Sequence, residues 1–304
     1  MVGSGSNLLK QLCLIVCLAV GIALGLGHCT ADTDANQVEP AAGNVLTESS
    51  VVRDWWQPRA DENLRWYWQL QDAIDTSHSV DVYDIDIDTP QPVIDKLKAR
   101  GVKLICYFSV GTVESFRTDA SEFPKQVVGN PYVGYADERW LDIGNIAALA
   151  PVMRDRLDRC AEKGFDGVEG DNVDAFYLDA QGAEDSTQSG TGFGITEQQS
   201  RDYVLWLARE SHLRGLGFGL KNAEALAESV FDQVDWMLTE SCHVYSWCEQ
   251  ALVVRRANKP VFMTEYAELS DDFSPACTLA KNLGYQAILR DTGLTAGGRY
   301  VECL

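Results

Sequence analysis

The sequence predicts an α/β fold, a (β/α)8 TIM barrel. From residue 65 onward, eight short apolar or aromatic runs alternate with helical stretches. Polar and acidic residues gather where those runs end, which is where a parallel barrel carries its chemistry. Beyond an apolar N-terminal segment, 273 of the 304 residues remain, close to the typical size of one such barrel.

The chain opens with Lys10 and then an uncharged run from Leu12 to Gly27. That run is short and Gly-rich for a membrane span. Small residues at Cys29, Thr30 and Ala31, followed by Asp32, make residues 1–31 read as a secretory signal peptide. An uncleaved signal anchor is the alternative, and bulky His28 disfavours a lipoprotein anchor at Cys29. Residues 32–52 are polar and aperiodic, as in a flexible leader. Residues 53–304 are expected to form a single barrel domain.

The first strand is expected at 65–71, where Trp66, Tyr67 and Trp68 supply β-forming aromatics. The second, 80–88, alternates Val82, Ile85 and Ile87 with acids. Strands three to eight are expected at 102–110, 165–169, 217–221, 234–239, 260–265 and 285–290. Between them, helices are expected at 90–100, ending before Gly101, and at 146–163, ending before Gly164. Thr196 and Gln199 form a capping-box signature for a helix reaching about residue 214. A shorter helix is expected at 223–231. Such alternation implies parallel strands joined by right-handed crossovers. One connection fits poorly: about eight residues between the first two strands are too few for a crossover helix. An extended loop there, or a displaced strand near Trp55 and Trp56, would complete the barrel. A doubly wound open sheet is the runner-up, but no Gly-rich phosphate loop sits in a strand-to-helix turn.

Composition narrows the chemistry. The formal charge is −20, and −21 without residues 1–31, whose only charged residue is Lys10. That excludes general affinity for nucleic acid or anionic membrane. Six cysteines lie beyond the N-terminal segment, an even number that suggests disulfides in a secreted chain. Cys242 with Cys248 would staple one loop, Cys277 with Cys303 would tie down the C-terminus, and Cys106 with Cys160 would be a third pair or two buried thiols. Four histidines without metal-ligand spacing, and no Cys-x-x-Cys, disfavour a metal site. No Gly-x-Ser-x-Gly elbow exists for a serine esterase. Nothing calls for a cofactor or a protein partner, and a monomer is expected.

The residues closing the strands are Gln69 and Gln71; Asp84, Asp86 and Asp88; Ser109; Glu169 and Asp171; Lys221 and Asn222; Glu240; Glu265 and Tyr266; and Arg290 and Asp291. In a barrel these converge on one face. Acids, amides and one lysine, with rings such as Trp68 for stacking, make a carbohydrate pocket. Glu169, Asp171, Asn172 and Asp174 are the densest group. A solvated acidic loop or a Ca²⁺ site would use the same residues. Lys221 could form a Schiff base, but among acids it is more simply a charge partner. What remains is a pair of carboxylates, the equipment of glycoside hydrolysis.

CYFSVGTVE at 106–114, FDGVEGDNVD at 165–174, GLKN at 219–222 and TESC at 239–242 with Cys248 resemble glycoside hydrolase family 114, the endo-α-1,4-polygalactosaminidases. WYWQL at 66–70 and WLDIG at 140–144 fit as well. The resemblance implies a secreted (β/α)8 barrel that cleaves α-1,4-linked galactosamine polymers. It implies catalytic carboxylates after the fourth and sixth strands, here Asp171 and Glu240. Asn172 and Lys221 would keep Asp171 charged as nucleophile or base, leaving Glu240 as general acid. Trp68, Gln69, Asp84, Asp86, Tyr107, Ser109, Glu169, Asn172, Lys221, Asn222, Glu265 and Tyr266 are the expected substrate-binding set. Partly deacetylated substrate is cationic, which suits an acidic pocket. A non-catalytic sugar-binding barrel is the alternative.

Overall fold

A computed structural model of the chain describes residues 54–180 and 190–304. The expected signal segment and leader lie outside the described residues, and no described helix is long and apolar enough to cross a membrane. The chain runs β1 (Trp66–Gln69), β2 (Val82–Asp86), α1 (Gln91–Lys98), β3 (Lys103–Ser109), β4 (Thr112–Glu114), β5 (Val128–Pro131), β6 (Glu138–Leu141), α2 (Ile146–Lys163), β7 (Gly167–Asp171), α3 (Phe176–Ala180) and α4 (Glu197–Leu213). It continues through β8 (Gly217–Lys221), α5 (Ala227–Val230), β9 (Trp236–Glu240), α6 (Leu252–Arg256), β10 (Val261–Tyr266), α7 (Ser274–Leu283), β11 (Gln286–Arg290) and β12 (Tyr300–Glu302).

The main sheet has the order β1-β2-β3-β7-β8-β9-β10-β11-β12, and its first eight strands are parallel neighbours. These are the eight expected strands, each within a few residues of its expected bounds. β12 runs antiparallel on β11 and closes the gap to β1. Tyr300 donates to the Trp66 carbonyl at 2.9 Å, Arg65 pairs with Glu302 at 2.6 Å, and the Trp66 indole donates to the Gln286 carbonyl at 2.9 Å.

β1 and β2 are joined without a helix. The Gln69 amide organises that loop, donating to the Gln71 and Ala73 carbonyls and accepting from the Asp75 N–H at 2.8 Å. Trp55 and Trp56 form no strand. The Trp55 indole donates to Asp235 and stacks on His212, while Trp56 leans on Trp236. The helix expected at 223–231 divides into a 3-10 turn, Glu224–Leu226, and the short α5, and Ala223 enters that turn with a left-handed φ of 49°. Thr196 and Gln199 do form a capping box, and Gly164 ends α2 with φ 89°.

The pleat sorts side chains onto two faces. Tyr67, Tyr83, Leu104, Cys106, Val168, Leu220 and Met263 face the helices in the larger core. Trp66, Trp68, Val82, Ile105, Trp236, Leu238, Phe262 and Ile288 fill the barrel interior. Inward-facing glycines make room for the Trp236 indole: a Cβ on Gly219 would lie 2.0 Å from it. Polar side chains on the same inward parity sit above these apolar layers, nearer the mouth. The disulfides Cys106–Cys160, Cys242–Cys248 and Cys277–Cys303 tie sheet to helix, close one loop and tie the C-terminal segment back to α7.

Candidate active site

Lys221 is the hub of the barrel mouth. Its side chain is 3% exposed, and its Nζ lies 3.1 Å from Glu169 Oε1, 3.0 Å from Asp171 Oδ1 and 3.0 Å from Glu240 Oε2. The ammonium has three N–H bonds and meets three carboxylates. It also lies over the Trp68 ring, 4.8 Å from the centroid. Burial works against its charge, but Asp171, Glu240 and Glu169 outweigh it and hold the pKa well above the ordinary lysine value. A Schiff-base role, which needs a neutral amine, is thereby disfavoured.

Asp171 and Glu240 are the partly exposed members, at 19% and 25% of their side-chain surface. Asp171 accepts from the Tyr107 hydroxyl at 2.9 Å and from the Asn172 N–H at 2.9 Å. Glu240 accepts from the Asn222 amide at 2.9 Å and from the Tyr266 hydroxyl. Burial first, then the adjacent carboxylate, pushes the pKa of Tyr107 and of Tyr266 well above that of free phenol, so both remain donors. Asn172, Asn222 and Ser241 follow Asp171, Lys221 and Glu240 with positive φ of 66°, 47° and 54°. Such conformations turn the chain sharply out of each strand and are held by the surrounding contacts. At one of them the fit is close: a Cβ on Gly111 would lie 1.8 Å from the Asn172 carbonyl.

Glu169 and Asp171 are two apart on β7 and face inward at different depths. Glu169 is fully buried below Lys221, and Asp84 is fully buried with it. Both lie beneath the mouth rather than on its surface. Asp86 reaches the cavity wall, but Arg117 spans Asp86, Asp88 and Glu114 and offsets their charge. Ser109 is buried and braces Asn172 through a 2.9 Å bond from its amide. Two expected contacts point away. Gln69 faces the β1–β2 loop, and Glu265 accepts from the His243 N–H at 2.8 Å, under the Cys242–Cys248 loop. Reading every strand-end polar residue as pocket-facing mixed the two parities of the pleat. Trp68 and Tyr266, their inward neighbours, are the ones at the cavity.

The cavity is about 1180 Å³ and is lined by Trp68, Asp86, Tyr107, Asp171, Asn172, Asp174, Lys221, Asn222, Glu240 and Tyr266. One wall comes from a part of the fold the sequence reading left undescribed. Strands β4, β6 and β5 form an antiparallel sheet between β3 and α2. It brings Phe116, Tyr132, Tyr135 and Glu138 to the cavity. The signal was there: roughly 35 residues separate β3 from α2, far more than an ordinary βα loop needs. Burial lifts the Glu138 carboxyl to about 7 against its hydrogen bond from Thr112, with Glu114 and Asp171 adding to the rise. Burial and then Asp171 lift Asp174 to about 7 as well. Among the described residues, one trio has metal-ligand spacing, Cys242, Cys248 and Glu265. Its two sulfurs are bonded to each other, so it offers no thiolates.

A carboxylate-rich mouth on an eight-stranded parallel barrel defines the class, a glycoside hydrolase of TIM-barrel architecture. The chain belongs to glycoside hydrolase family GH114, whose model matches residues 46–304. Aspergillus fumigatus Ega3, solved in complex with galactosamine, is 30% identical with a TM-score of 0.73, covering 82% of this chain and 98% of that one. The glycoside hydrolase domain of Pseudomonas aeruginosa PelA is 14% identical with a TM-score of 0.60, covering 77% and 97%, a likeness of fold. No curated protein matches the sequence.

Proposed function

We propose that this enzyme is a secreted, endo-acting hydrolase of α-1,4-linked galactosamine polymers, with Asp171 and Glu240 as its catalytic pair. The carrying observation is the shared contact with Lys221. Asp171 Oδ1 and Glu240 Oε2 both lie 3.0 Å from one nitrogen, so these two oxygens are within about 6 Å of each other and both carboxyls can reach one glycosidic bond; we read the pair as a retaining one. Asp171, oriented by the Tyr107 hydroxyl and the Asn172 N–H, attacks the anomeric carbon. Glu240 donates its proton to the departing glycosidic oxygen. The aspartyl–sugar bond is then cleaved by a water that gives its proton back to Glu240, restoring both groups.

The substrate class is supported by the galactosamine bound to Ega3 and by the charge of the cavity. Asp171, Asp174, Glu138 and Glu240 outnumber Lys221 there, which favours an ammonium-bearing sugar. Trp68, Phe116, Tyr132 and Tyr135 offer faces for pyranose rings. Secretion is supported by the three disulfides. The test is incubation with partly deacetylated α-1,4-galactosaminogalactan and mass spectrometry of the products. Oligosaccharides of several lengths from the earliest times are expected. Binding without products would favour a sugar-binding barrel, and the absence of both binding and products would remove the substrate assignment.

A further inference from the structure

Beneath the catalytic mouth lies a second carboxyl pair that the reaction does not use directly. Asp84 stands on β2 opposite Trp68 and Ile105, and Glu169 stands on β7 opposite Tyr107 and Gly219. Both residues are fully buried and adjacent in the barrel interior, and none of their four carboxyl oxygens has a hydrogen-bond donor among the described residues. The charged groups facing Asp84 are Glu169, Lys221 and Asp171. No donor from another residue reaches either Asp84 oxygen. Lys221 lies within ion-pair distance of Glu169, Asp171 and Glu240 and donates its hydrogen bond to Asp171, away from Asp84. Two buried carboxylates in contact would each be desolvated and would repel. One shared proton removes both costs and turns the contact into a hydrogen bond. Burial, and then Glu169, places that proton on Asp84 by raising its pKa well above the usual carboxyl range.

We propose that Asp84 is a positioning residue that works as a standing protonated acid: its O–H holds Glu169, Glu169 anchors Lys221 from below, and Lys221 sets the spacing of Asp171 and Glu240. The last link rests on the glycosidase reading of those two residues. The first two do not.

The test compares D84N with D84A and the parent enzyme. An amide is neutral and donates, so D84N reproduces the protonated acid, whereas D84A leaves Glu169 without its donor. We expect D84N to keep kcat within about threefold of the parent and D84A to lose roughly tenfold or more, with KM changed less, on the scale of a misplaced catalytic group. Two readouts need no substrate. At neutral pH the infrared difference spectrum of parent minus D84N should show the band of one protonated carboxyl. The Tm of D84N should gain on the parent as pH rises from about 4 to about 8, because only the parent must keep a proton that the unfolded chain releases near pH 4. A folded but inactive D84N, or a Tm difference that moves the other way, would mean the site needs an Asp84 anion and would overturn the proposal. Should D84A not fold, the pH course of D84N still decides. Loss of the substrate reading alone would leave the infrared and Tm results unchanged.

Discussion

Replacing Lys221 with methionine isolates what the central cation contributes. The side chain keeps its length and apolar stem, but the ammonium between Glu169, Asp171 and Glu240 is gone. Asp171 and Glu240 can turn toward solvent. Glu169 cannot, because it is fully buried. Burial already raises the Glu169 pKa in the parent, and Lys221 is the strongest influence pulling it back. Stripping a buried carboxylate of its cation typically costs about 3–5 kcal/mol. Against a native stability of about 5–15 kcal/mol this is severe but survivable. In a domain of this size it corresponds to a Tm lower by about 6–20 °C at neutral pH. The sign with pH follows from Glu169. Without Lys221 its folded-state pKa rises further above the unfolded value of about 4.3. The folded variant then holds a proton that the unfolded chain releases. Its deficit is small below about pH 4 and grows by up to about 1.4 kcal/mol per unit as pH climbs toward the folded-state value. Thermal denaturation of parent and K221M at about pH 4.5 and pH 7.5 measures this. Adding E169Q should recover most of the loss, a coupling that a double-mutant cycle reads directly. An equal Tm deficit at both pH values, or no recovery with E169Q, would show that Lys221 does not stabilise the fold through Glu169.

The isosteric variants D171N and E240Q should keep the parent's Tm and polymer binding yet lose about 10²–10⁴-fold in kcat; near-parent turnover in either would strike that residue from the mechanism. Glu138 ionises as pH rises through about 7, so KM for a deacetylated oligosaccharide should fall across that range, and this pH dependence should flatten in E138Q. Among the disulfides, chain-entropy scaling makes Cys106–Cys160, with 54 residues of separation, worth about 4 kcal/mol and Cys242–Cys248, with 6, about 2 kcal/mol. Paired Cys→Ala variants should therefore rank in that order in denaturant titrations, while the Cys242–Cys248 pair, next to Glu240, should show the larger fall in kcat.

The sequence by itself determined the eight strands, because each is a short apolar or aromatic run bounded by turn residues, and local propensity suffices to place it. It also determined the longer helices, through the Thr196–Gln199 capping box and the Gly164 C-cap. The acids at the ends of β7 and β9 were legible for the same reason, since clustered carboxylates after a buried strand have few structural uses. Tertiary structure alone decided which neighbour of each polar pair faces the barrel. Gln69 and Trp68, or Glu265 and Tyr266, are equally plausible strand-end residues, and only the sheet's closure assigns their parity. Depth was likewise invisible: Glu169 and Asp171 share a face, but the layer beneath Lys221 seals one and leaves the other partly open. The charge of the cavity also depended on distant pairings, since Arg117 offsets Asp86 and Glu138 arrives from a separate three-stranded sheet. Propensity acts over a few residues, whereas burial and charge pairing depend on segments brought together from across the chain.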